Sequence, residues 1–180
     1  MIILNKKLRD RIILMAKIDQ EAREAAVKDY SNKKLSRKAY LIDGRNIVKV
    51  KKIIKDFGWP TYDLVGRRAS NAFWLLVQHA DRDLAFQKKC LKLLEIAVRD
   101  NQAKPINLAY LTDRVRIAEG KKQMFGTQYR IKDGKLVLKP VIDRKNLDKL
   151  RKKYGMTTMK QQNKKMSVEY KSILKKCLSE

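Results

Sequence analysis

A chain of 180 residues that is 44% hydrophobic can bury a core of its own, which excludes global disorder. Its formal charge of +25, from 44 Lys and Arg against 19 Asp and Glu, attracts polyanions by counterion release; lysines scattered over a solvated surface would give the same total. Two unclustered cysteines, Cys90 and Cys177, and a single histidine, His79, form no Cys/His spacing, so neither a metal site nor a cofactor is expected.

Charges break every apolar run of the first eighteen residues, so no signal peptide or membrane span is expected there. A cytoplasmic location follows, with secretion without a cleaved signal as the alternative. Leu4, Leu8, Ile12, Met15, Ile18 or Ala22, and Ala25 or Ala26 recur at helical spacing and predict a helix over 4–27. Residues 30–38 read as a loop. A second helix is expected over 46–57, with Asp43 as its N-cap, Gly58 as its stop and Trp59-Pro60 beyond. Residues 67–99 hold one stripe for many turns, and residues 72–77 are apolar almost all round, which predicts one long buried helix.

Pro105 opens a short helix over 107–117, which Gly120 ends. Alternation on both sides of Asp133-Gly134 predicts a β-hairpin over 128–139. Residues 142–154 return to helix and stop at Gly155. Residues 157–180 read as a basic helix or tail with a weak stripe of Met166, Tyr170, Ile173, Leu174 and Cys177. The expected fold is mainly α: a helical bundle around a long buried central helix, with one small β-hairpin. Residues 1–155 would form a single helical domain and 156–180 a basic C-terminal helix or tail.

Four polar clusters interrupt this framework. Gln78-His79-Ala80-Asp81 cuts into the most apolar helix. On an unbroken helix His79 shares a face with Leu75, Asp83 and Phe86, while Asp81 points to another side. A histidine beside a carboxylate can act as general acid or base near neutral pH, and it can equally be a satisfied half-buried core residue. In Tyr110-Leu111-Thr112-Asp113-Arg114 the adjacent Asp113 and Arg114 face different sides. Asp113 would meet a cation or a backbone amide, and Arg114 a carboxylate or phosphate, unless both belong to a structural network. The Gly120–Gln128 loop carries Gln123, Thr127 and Gln128 between two glycines, as a substrate loop or an ordinary connection would. Asp19, Gln20 and Arg23 add a fourth cluster, with Asp19 and Arg23 spaced for an i,i+4 pair.

These clusters, together with Asp43-x-x-Asn46, Gly58-Trp59-Pro60, Val65-Gly66, Ala109-Tyr110, Gln123-x-x-Gly126, Arg151 and Gly155, resemble a bacterial family known only as a domain of unknown function. The resemblance covers most of the chain. It implies that the polar residues belong to one site, and it supplies no activity. Phe125 departs from the family's usual tyrosine, and the basic segment after Gly155 reads as an individual addition.

The residues support two expectations. In the first, an enzyme acts without metal on a phosphate-containing substrate, a nucleotide or RNA. His79 is its acid/base, Asp81 or Asp83 orients it, and Asp113 is a second carboxylate. Arg114 holds an anion, and Gln78, Gln123 and Gln128, with Thr127, Gln20 and Arg23, bind the substrate. Serine-nucleophile chemistry is disfavoured, since no Gly-x-Ser-x-Gly occurs. In the second, the chain is a non-catalytic basic module that binds nucleic acid, another polyanion or an acidic protein. No membrane partner is expected in either.

Overall fold

The computed structural model describes residues 4–29 and 31–178, with side chains described as far as Lys171. The described residues form seven helices and one two-stranded hairpin, so the chain is mainly helical as expected. They group into two compact units, Met1–Lys104 and Pro105–Glu180.

In the first unit α1 (Lys6–Lys28) begins where the Asn5 side chain accepts from the Leu8 N–H at 2.9 Å. Its inward face carries Leu8, Ile12, Met15, Ala16 and Ala22, and also a carboxylate, Asp19. α2 (Lys33–Phe57) starts earlier than expected. Asn32 caps it through the Lys34 N–H, and the following lysines and Leu35 are good helix formers, so 33–38 is helix and not loop. Asp43 is therefore inside α2 and caps nothing. Gly58 does stop the helix, at φ +67°, with its N–H bonded to the Ile54 carbonyl.

The single long helix over 67–99 is two. α3 (Tyr62–Gln78), capped by Thr61, ends at His79, and α4 (Leu84–Arg99) starts at Asp83, whose carboxylate accepts from the Phe86 N–H at 2.9 Å. Asp83 serves a new N-terminus better than it could serve a helix interior, and the apolar period survives the break because Ala80 stays fully buried in the turn. A second interruption lies inside α3 at Gly66, whose φ of 81° and ψ of 162° suit glycine alone. α1 packs on α2 and α3 around Ile12, Val50, Ile53, Val65, Phe73 and Leu76, all almost completely buried.

The second unit opens with α5 (Pro105–Ala118). The hairpin pairs β1 (Tyr129–Lys132) with β2 (Lys135–Leu138), Tyr129 opposite Leu138, around an Asp133-Gly134 turn in which both residues have positive φ. Helix does not resume at 142 but at α6 (Leu147–Lys153), because Asp143 folds 143–146 into a turn by accepting from the Asn146 backbone and side-chain N–H groups. α7 (Met159–Leu178) carries the basic C-terminal segment. It lies on the hairpin: the Tyr129 hydroxyl donates to Asn163 and the Tyr170 hydroxyl to the Gly134 carbonyl. Met166 and Tyr170 are half-buried, and the rest of the expected stripe, Ile173, Leu174 and Cys177, falls outside the described side chains. Among the described residues, no helix is long and apolar enough to cross a membrane.

Candidate functional site

The first unit assembles a charged cluster from α1, α2 and the end of α3. Asp19 projects from the inner face of α1 and is 1% exposed. One of its oxygens, Oδ2, accepts from three donors: His79 Nδ1 at 2.8 Å, the Gln20 amide at 2.8 Å and Arg23 Nε at 3.3 Å. Arg23 Nη2 reaches the Asp43 carboxylate on α2 at 2.5 Å. Arg23 and Asp19 thus meet His79 directly, Gln20 reaches it through Asp19, and Asp43 joins through Arg23.

The tautomer follows from the neighbours. Nδ1 is 2.8 Å from a carboxylate oxygen and 2.9 Å from Arg23 Nε, a group that only donates. A bare Nδ1 lone pair would face the carboxylate's negative charge, whereas a protonated Nδ1 donates to it, so we assign the proton to Nδ1. Arg23 Nε then serves Asp19. Nε2 carries the lone pair of the neutral ring, has no hydrogen-bond partner among the described residues, and belongs to a side chain that is 16% exposed.

Burial alone would push the Asp19 carboxyl up. The hydrogen bond and charge of His79, the charge of Arg23 and the Gln20 amide outweigh it and hold the group below the usual carboxylate range. Asp43 goes the other way. Its burial, joined by the negative charge of Asp19, exceeds the pull of Arg23 and His79 and raises it. Two neighbouring carboxyls are thereby driven apart, with Asp19 fixed as the anion behind the imidazole.

Asp19, Asp43 and His79 each offer one ligand atom, all within 4.8 Å of one another, a donor set that suits a divalent ion. The Arg23 guanidinium bonds both carboxylates, however, and supplies the positive charge an ion would bring. A metal would have to displace it. The donor set is thus already satisfied by an internal cation.

The other expected members of the His79 cluster are placed differently. Asp81 accepts from the buried Gln87 amide at 3.2 Å, which also reaches the carbonyls of Val77 and Gln78. Asp83 caps α4 and pairs with Lys51. Neither orients His79, because the helix that would have aligned Asp83 with it ends at His79. Gln78 is buried, at 4% exposure.

The second unit holds the remaining expected residues. Asp113, fully buried on α5, accepts from the backbone N–H groups of Met124, Phe125 and Thr127 and from the Thr127 hydroxyl, at 2.6 to 3.1 Å. Gln123, also fully buried, donates to the Gln128 and Lys139 carbonyls and accepts from the Gln128 N–H. Gln128 in turn donates to the Thr127 hydroxyl. Arg151, 1% exposed, donates to the Phe125 and Thr157 carbonyls. Phe125 packs its ring on Tyr154 at 4.6 Å between centroids, as an apolar anchor in the core of the second unit. Arg114 is half-buried and engaged. This network fixes the 123–128 loop from within, mostly through bonds to backbone groups.

Comparison with known families gives one match: a family model described as a family of unknown function, DUF6624, covers residues 6–175. It therefore includes most of the segment after Gly155, which belongs to the shared framework and is not an individual addition. No curated protein and no solved structure matches the chain.

Proposed function

The chain belongs to DUF6624, a family of unknown function, and we propose that its first unit is a metal-independent acid–base enzyme acting on a phosphate ester. The observation that carries this reading is the held imidazole: Nδ1 bonded to a buried aspartate at 2.8 Å, with Nε2 left unbonded among the described residues on a part-exposed side chain. Such a ring can take a proton from an attacking hydroxyl or water, while Asp19 stabilises the imidazolium that forms. Arg23 is one-third exposed, and its Nη1 has no hydrogen bond among the described residues, so it can reach a phosphate oxygen while Nε and Nη2 stay on Asp19 and Asp43. The chain's charge of +25 favours an anionic substrate. Asp113 is assigned to the fold of the second unit.

The test is turnover of a chromogenic phosphodiester and of a labelled RNA oligomer, with EDTA present. His79→Gln should lower kcat about 100- to 10,000-fold without unfolding the protein. Asp113→Asn should lose stability and keep its turnover per folded molecule. Equal turnover by the wild type and His79→Gln would overturn the enzyme reading and leave the competing one, a binding module resting on the same charge.

A further inference from the structure

Beside the His79 cluster, α1 and α3 enclose a cavity of about 400 Å³ whose wall includes Lys17, Gln20, Arg68, Asn71, Trp74 and Leu75. A second cavity, of about 550 Å³, lies between Arg9 and Asp10 of α1 and Gly66, Arg67 and Arg68 of α3. Both are lined by Ile13 and Arg68, so they adjoin along α1 and α3 as a groove in two parts. Along α1 it runs from residue 9 to residue 20, about 16 Å at the helical rise.

One end of the groove abuts the cluster. Gln20, in the groove wall, donates to Asp19, and Leu75, also in the wall, accepts from the His79 backbone N–H. The wall combines two kinds of surface. Ile13, Ala16, Ala72, Trp74 and Leu75 make an apolar strip with one large flat ring. Arg9, Lys17, Arg67 and Arg68 supply positive charge against Asp10 alone, and Asp10 is taken up by Arg9 at 2.7 Å. Arg67 lies over the Tyr62 ring, whereas Arg68 has no partner among the described residues.

We propose that this groove is the binding track of a single-stranded oligonucleotide, with a base stacked against Trp74, a phosphate on Arg68, and an adjoining phosphate presented to His79. The inference rests on the acid–base reading above and names its substrate. A strip of apolar and aromatic side chains edged by guanidinium groups matches unpaired bases on a phosphate chain. A duplex keeps its bases stacked inside and would leave the strip unused. A free mononucleotide would fill only part of that length.

Fluorescence anisotropy with an end-labelled single-stranded RNA octamer tests this, with the same octamer as a duplex and inorganic polyphosphate as charge-only probes. Arg68→Ala and Trp74→Ala should each weaken octamer binding about ten-fold, and Trp74→Phe should restore most of the loss. Lys92→Ala, the same charge change on the exposed side of α4, should leave binding unchanged. Arg68→Ala should also reduce the steepness with which binding falls as salt rises by about one phosphate contact. Circular dichroism confirms that each variant is folded. Octamer binding indifferent to both Arg68 and Trp74, or matched by polyphosphate, would overturn the groove assignment. His79→Gln separates the two claims: retained octamer binding with turnover no different from the wild type sinks the acid–base reading and leaves the groove standing.

Discussion

At the scale of single residues, the charged cluster rests on a contact between positions sixty apart in sequence. The Asp19–Arg23 pair is legible because a helix repeats every three to four residues. The Asp19–His79 bond is not, because nothing local says that α1 crosses the end of α3. By its local setting Asp43 reads as a helix cap, the ordinary use of an aspartate before an apolar period. Asp19 gives the cluster a measurable pH signature. Folding lowers its carboxyl, so the stability it contributes is complete above the unfolded carboxylate range, near pH 3.9, and is lost as pH falls through the lowered folded value. Asp43, raised by burial, runs opposite: its contribution is complete at low pH and is lost as pH rises through the raised value. Denaturant titrations from neutral to acid pH should therefore show Asp19→Asn destabilised by about 2–3 kcal/mol at neutrality, with a shallower acid limb than the wild type. Asp43→Asn should keep an acid limb at least as steep. An unaltered acid limb in Asp19→Asn would show that the aspartate is not held as an anion by the fold.

At the scale of elements, periodicity locates the apolar stripes and misplaces one break. Residues 67–99 satisfy a single helical period because a short turn with Ala80 buried keeps the stripe nearly in phase. What stops the helix is capping chemistry: Asp83 satisfies the first free N–H groups of α4. The stop also decides the site, since it leaves His79 at a helix terminus, free to turn toward α1. Asp83→Ala should accordingly cost about 1 kcal/mol, read as a lower Tm, and leave turnover per folded molecule unchanged. A fall in turnover comparable to that of His79→Gln would return Asp83 to the catalytic set. The hairpin needed no such correction, because Asp-Gly between alternating runs specifies both its turn and its register. The Gly120–Gln128 loop is the harder case. Its amides and hydroxyl are the residue types that bind substrates, and the same types also tie down a loop; only the burial of Asp113 and Gln123 distinguishes the two uses.

At the scale of the whole molecule, the chain separates at Lys104–Pro105 into units with their own cores, Phe73 and Leu76 in the first, Ala109, Phe125 and Met156 in the second. The sequence shows no composition shift there, so a boundary near 155, where charge rises, is the natural reading of the text alone. Residues 1–104 expressed by themselves should fold cooperatively and keep the His79–Asp19 hydrogen bond of the full chain, by circular dichroism and proton NMR. A fragment that melts without a transition would show that the unit depends on the remainder. The charge cluster in that unit also has a balance sheet unlike the molecule's. Around it the chain carries +25, yet with a neutral ring the cluster holds two carboxylates against one guanidinium, one negative charge in excess. A proton arriving at Nε2 therefore brings the cluster to neutrality.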